Sequence, residues 1–99
     1  MSLGISLAQY PLAFVVAHST GCSHCLEYLP IVREVAPAHG HVPTVLVDIA
    51  MHPAMVEALG VQVTPTTVVL RHGRIVDSRE GIVDAKGLRA LYAEHGSSR

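Results

Sequence analysis

The chain contains no tryptophan, and aromatic residues make up only 4% of its 99 positions. Its core must therefore be aliphatic. Charge is sparse and unevenly placed. No Lys, Arg, Asp or Glu precedes Glu27, and seven basic residues against eight acidic ones leave a net charge of −1. That balance excludes the basic footprint of a nucleic-acid-binding protein or an acidic membrane surface. No apolar run reaches the ~20 residues that a membrane-spanning helix needs. Leu12–Ala17 has the apolarity of a signal-peptide core, but no basic residue precedes it, and cleavage after Ala17 would remove a strand. With only two cysteines, the chain has too few for a secreted disulfide scaffold, so a cytoplasmic location is expected. An export signal ahead of this chain is left open.

What is present is an apolar share of 49%, high enough for one folded domain over residues 1–99 with a modest core. The two cysteines stand in Gly21-Cys22-Ser23-His24-Cys25, two residues apart. Residues 5–10 are weakly patterned, a short strand or turn. The continuous apolar run Leu12–Ala17 predicts a central strand covered on both faces. Ser23 to about Ala38 reads as a helix, with Cys25, Leu29, Val32 and Ala36 on one apolar stripe. Pro30 inside it is expected to kink it. On that stripe Cys25 turns to the core and Cys22 stays at the exposed start.

Thr44–Ile49 predicts a second strand, parallel to the first because a helix joins them. Pro53–Leu59 predicts a short helix that stops at Gly60. Thr66–Arg71 and Arg74–Arg79 form a hairpin about His72-Gly73. Asp84 caps a last helix, Ala85–His95, whose core face is Leu88, Leu91 and Tyr92. The arginines Arg71, Arg74 and Arg79 guard an edge strand. His39, His41, His52, His72 and His95 read as surface residues at turns and helix ends.

A strand, then CxxC, then a helix is the context of a thiol–disulfide redox site. The thiolate is the reacting form, and a helix N-terminus favours it. Cys22 is therefore the expected attacking sulfur, with a lowered pKa, and Cys25 the resolving one. His24, as a cation, would stabilise the Cys22 thiolate and make the disulfide more oxidising; the alternative is a solvated histidine without effect. A zinc site from His18, Cys22, His24 and Cys25 is disfavoured, because structural zinc sites join two separated ligand pairs and no second pair follows. No bound metal is expected.

The order β-α-β-α-β-β-α, with CxxC at a helix start, Pro30 five residues after the second cysteine, Asp48 and Pro53 in the next βα step, Val63-Thr64-Pro65 before a hairpin and Gly81 before the last helix, resembles the thioredoxin-like superfamily. The resemblance runs from about Leu12 to His95. It implies an α/β fold with a central mixed four-stranded sheet flanked by about three helices. It also implies a thiol–disulfide oxidoreductase with Cys22 and Cys25 as the catalytic pair. Gly21, Ser23 and His24 would support that pair, and Thr64 and Pro65 would shape the substrate groove through a cis peptide bond. No cofactor beyond the Cys22–Cys25 disulfide is implied. Protein disulfides and dithiols are the implied partners, with a flavin-dependent reductase as a candidate donor. Thioredoxins generally carry a buried Asp where this chain has Val16, and tryptophans where it has His18 and Gly21. These departures imply slower exchange or a narrower partner set. They also keep a second reading in view, a thioredoxin-like binding or chaperone module with weak redox activity or none.

Overall fold

The computed structural model describes residues 7–96. Four strands and three helices follow one another as β1 (Ala13–His18), α1 (Ser23–Val35), a 3-10 turn (Ala36–His39), β2 (Thr44–Asp48), α2 (Pro53–Leu59), β3 (Thr66–Arg71), β4 (Arg74–Glu80) and α3 (Ala85–Gly96). The sheet order is β2-β1-β3-β4. β1 runs parallel to β2 and antiparallel to β3, and β3 pairs antiparallel with β4. This is the mixed α/β arrangement expected from the sequence, with most element ends within a residue or two of expectation. Of the region 5–10, the first two residues lie outside the described part; Leu7 and Ala8 are helical rather than extended, and the Tyr10 N–H closes a turn on the Leu7 carbonyl.

β1 is buried along both faces because side chains alternate along a strand and both sides of the sheet are covered. Phe14 and Val16 join Tyr28, Val32 and Val35 of α1, Val69 of β3, and Leu88, Leu91 and Tyr92 of α3 in one core. Ala13 and Val15 join Leu7, Val47, Val68 and Leu70 in a second, with Met55 and Leu59 of α2 against it. The scarce aromatics are concentrated in the first core. Phe14 and Tyr92 stack with ring centres 4.1 Å apart, and His39 stacks on the other side of Tyr92 at 4.5 Å. His39 is thus half-buried against a ring, not a free surface histidine.

The buried face of α1 differs from the expected stripe. Cys25 and Val32 are buried as expected, but their companions are Tyr28 and Val35, while Leu29 and Ala36 flank the core half-buried. A helical repeat does not choose between neighbours such as 28 and 29. The sheet does, by offering the Tyr28 hydroxyl a partner in Thr67 at 2.7 Å. α1 also stops short of Ala38. The Ala36 N–H still reaches the Val32 carbonyl, but Pro37 has no N–H to continue, and the chain tightens into the 3-10 turn. Pro30 lies within α1, which runs on through it; Leu26, whose carbonyl it leaves without a helix partner, is an exposed residue.

β4 is an edge strand, but its charges do more than guard it. Asp77 accepts hydrogen bonds from the His95 ring at 2.9 Å and from Arg79 at 3.1 Å. Arg71 donates to the His95 carbonyl at 3.0 Å, capping the end of α3. At the other end of α3, Asp84 accepts from the Gly87 N–H at 2.7 Å. The Asp77 carboxyl is held below the usual carboxylate range, chiefly by its hydrogen bond with His95; burial opposes this, and the Ser78 N–H and the Arg79 guanidinium add to it. A depressed folded-state value means that the clamp contributes fully above the ordinary Asp range and is lost as pH falls through that lower value. Asp77→Asn is therefore expected to lower unfolding stability by about 0.5–1 kcal/mol at neutral pH. In a denaturant series the gap to the unmodified protein should close in acid; a gap that persists there would contradict the assignment.

Candidate functional site

The antiparallel register Ala17↔Thr66 brings the end of β1 beside the start of β3. The segment leaving β1 (Ser19-Thr20-Gly21) therefore lies against the segment feeding β3 (Val63-Thr64-Pro65), although about 45 residues separate them. Their hydroxyls join directly, Ser19 Oγ to Thr64 Oγ1 at 2.9 Å. The Thr64–Pro65 peptide bond is cis, and Pro65 is buried. The Pro65 carbonyl accepts the Gly81 N–H at 2.8 Å, which ties in the end of β4.

Cys22 occupies the N-cap of α1, with an extended backbone (φ −89°, ψ 110°). Its Sγ accepts the Cys25 N–H at 3.1 Å, the place where a cap side chain satisfies a free helix donor. Its carbonyl takes the Leu26 N–H at 3.2 Å. Cys22 and Cys25 are joined as a disulfide, with Cα atoms 5.2 Å apart, inside the usual range for that bond. Cys22 Sγ lies 3.5 Å from the Thr64 carbonyl oxygen. In the reduced state the thiol can donate there. Cys22 is half-exposed, whereas Cys25 is 2% exposed. The two sulfurs thus differ in access as the helical pattern anticipated.

Gly21, Ser23 and His24 are exposed around the pair. Gly21 has φ +80° with open space where a Cβ would stand, so it reverses the chain into the helix without crowding the sulfurs. All seven residues singled out from the sequence gather at one end of the sheet. Two contributors escaped sequence reading. Ser19 carries no motif of its own, and Gly81 stood out only as the glycine before the last helix; the register of β1, β3 and β4 shows that each holds the Thr64-Pro65 segment. Val16 is buried in β1 opposite Thr67. Among the described residues, the metal-capable group that comes together is Asp77, Glu94 and His95, which lies on β4 and α3, apart from the cysteines in sequence.

A disulfide at a helix start, facing a cis-proline segment beside the central strand of a mixed sheet, defines the thioredoxin-like class of proteins. The thioredoxin family model matches residues 7–94, and the chain belongs to that family. Its redox group is the cysteine pair itself, with no added cofactor. Among solved structures it is similar to the Nicotiana alata thioredoxin NaTrxh, with 24% identity over 93% of this chain and 80% of that one and a TM-score of 0.84. It is similar to Chlamydomonas reinhardtii thioredoxin f2 at 21% identity, 98% and 92% coverage and TM-score 0.84. The Fasciola hepatica thioredoxin follows at 24%, 92%, 86% and 0.80. At these identities the likeness shows the fold. No curated protein sequence matches the chain significantly.

Because Gly21 has open space but a positive φ, Gly21→Ala tests conformation alone. It is expected to destabilise the oxidised protein by about 1–2 kcal/mol, read as a lower Tm. An unchanged Tm would mean that the turn relaxes without strain.

Proposed function

We propose that this protein is a thiol–disulfide oxidoreductase that exchanges disulfides with protein substrates. The family and a cysteine pair at bonding distance support such chemistry in general. The observation that carries the specific reading is the unequal exposure of the two bonded sulfurs, half-exposed Cys22 at the helix cap and buried Cys25. Only Cys22 is open to an incoming chain. Its thiolate, favoured by the free N–H groups and dipole of α1, attacks a substrate disulfide. A mixed disulfide forms, and the released substrate sulfur takes a proton. Cys25, having lost its own proton, then attacks Cys22 Sγ. The Cys22–Cys25 bond closes, the second substrate thiol leaves, and two electrons have passed to the substrate.

Thr64 and Pro65 are proposed to line the substrate groove. Two exposed apolar residues adjoin them, Val63 directly before Thr64 and Ile82 directly after the Gly81 that holds Pro65. Such a rim suits a polypeptide substrate better than a small polar thiol. Gly21 and Ser23 keep the approach to Cys22 open. His24, exposed in the first turn of α1, is proposed to add positive charge near the Cys22 thiolate when protonated. The low cysteine count supports a cytoplasmic setting, the length and apolar share support residues 1–99 acting as one domain, and membership of the thioredoxin family supports a flavin-dependent reductase as donor. A second reading, a partner-holding module, draws on Leu26, 74% exposed beside Cys25; it gains if replacing both cysteines by Ser leaves partner binding intact.

Reduced protein supplied with a dithiol is expected to cleave insulin disulfides, and Cys22→Ser to bring the rate down to the dithiol background. A rate for the unmodified protein no higher than that background would sink the proposal. His24→Ala is expected to make the reduction potential of the pair more negative by about 10–30 mV, since it removes stabilisation from the reduced form. Equilibration against a glutathione series measures it, and an unchanged potential would leave His24 as a solvated bystander.

A further inference from the structure

Hydrogen bonds fix the chain on either side of the loop that leads to Cys22. The Ile49 N–H meets the His18 carbonyl at 2.9 Å, at the end of β1. The Cys25 N–H meets Cys22 Sγ at 3.1 Å, at the start of α1. On the facing segment, the Thr66 hydroxyl holds the Val63 carbonyl at 2.6 Å, and the Gly81 N–H holds the Pro65 carbonyl at 2.8 Å. Thr64 is thus pinned from both of its neighbours. The loop between His18 and Cys22 is held less firmly. Thr20 and Gly21 are exposed, and Gly21 has φ +80° with open space where a Cβ would stand, so sterics resist its movement little. Among the described residues, the hydrogen bond that ties this loop down runs from Ser19 Oγ to Thr64 Oγ1, at 2.9 Å.

Thr64 is also the residue that the Cys22 sulfur faces. Its carbonyl oxygen lies 3.5 Å from Cys22 Sγ. One residue therefore takes both contacts, its side chain from Ser19 and its backbone from Cys22. The two partners stand three residues apart on the loop. The hydroxyl bridge closes a ring, and the ring holds the sulfur against the carbonyl. A carbonyl oxygen has no hydrogen to give. In the reduced protein it accepts from the Cys22 thiol and repels the thiolate, so this contact favours the protonated form. The Cys25 N–H and the α1 dipole favour the charged one. In the exchange proposed above, on which this inference rests, Cys22 attacks as thiolate, and its acidity is the balance of these opposed contacts.

We propose that Ser19 is a positioning residue for the exchange: its hydroxyl, bonded to Thr64, holds the Cys22 thiol on the Thr64 carbonyl and so limits how much thiolate Cys22 carries at neutral pH. Ser19 acts through Thr64 and not on the sulfur itself. The Ser and Thr hydroxyls carry no charge over the range in which a thiol ionises, so the bridge stays closed while Cys22 titrates. The titratable and charged groups on the elements around Cys22 are His24, Cys25 and Glu27 on α1, His18 at the end of β1 with Asp48 opposite it on β2, His52 at the cap of α2, and Arg79 and Glu80 at the end of β4; Arg71 lies at the far end of β3. Among the described residues, none of their side chains is hydrogen-bonded to Ser19 or Thr64, so opening the bridge leaves their bonds as they are.

The test alkylates the reduced full chain with iodoacetamide over a pH series, with peptide mass mapping to read the rate at Cys22. Ser19→Ala and Thr64→Val are each expected to move the Cys22 midpoint down by about half a pH unit, since the thiol loses its acceptor and the thiolate its repelling neighbour. The double variant should go little further than either single one, because one bridge is lost once. Thr64→Ser keeps the hydroxyl and should leave the midpoint in place. A purely structural role would lower the Tm of Ser19→Ala and leave its midpoint unmoved. A midpoint that stays in place in Ser19→Ala, or that rises, overturns the proposal and leaves the exchange reading standing. Alkylation of Cys25 ahead of Cys22 in the unmodified protein would remove both.

Discussion

The structure depends on one pairing, the antiparallel ladder between β1 and β3. With Ala17 opposite Thr66, the loop that ends in Cys22 and the loop that ends in Pro65 must share one edge of the sheet. Every long-range contact of the site follows from that register: Ser19 to Thr64, Cys22 to the Thr64 carbonyl, and through β4 the Gly81 N–H to Pro65. A slip of one residue would turn every side chain of β3 to the other face. A slip that puts Val68 opposite Val16 would send Thr67 away from Tyr28 and leave the Tyr28 hydroxyl buried without a partner, costing about 1–3 kcal/mol. The buried hydroxyl pair therefore helps to specify the register that assembles the site.

The poverty of aromatic residues has a structural counterpart. Three of the four aromatic side chains (Phe14, Tyr28 and Tyr92) sit in the core between the sheet and the pair α1 and α3, and a histidine completes their stack. Both tyrosines reach threonines with their hydroxyls. The core on the α2 side is aliphatic. Polar fixing of the fold is thus concentrated on the side where the cysteine helix packs, and that side must hold two sulfurs in unequal environments. The arginines and Asp77 serve a different end, clamping the C-terminal turn of α3 to the edge strand.

Much of this was legible in the chain. The run through Val15 and Val16 announced a strand covered on both faces, and the turn at His72-Gly73 announced the hairpin. Cys22 and Cys25 could be assigned different fates because a helix starting at Ser23 buries the fourth residue of the motif and not the first. The misreadings share a cause. Leu29 against Tyr28, and Ala36 against Val35, are adjacent positions that helical periodicity ranks alike; His39 and His95 looked solvated because nothing nearby in the chain could engage them. Their partners Tyr92 and Asp77 are far away in sequence.

The sequence by itself determined what is local: where helices begin and end, which strands are apolar on both faces, and that two sulfurs stand at a helix start. These follow from backbone propensity, caps and periodicity, which act over a few residues. Only the tertiary structure decided what meets what: Ser19 and Gly81 as holders of the Thr64-Pro65 segment, Tyr28 rather than Leu29 as the core residue of α1, and Thr67 as its partner. Those choices belong to strand register and to the satisfaction of buried polar groups, and both are settled between segments that are distant in the chain.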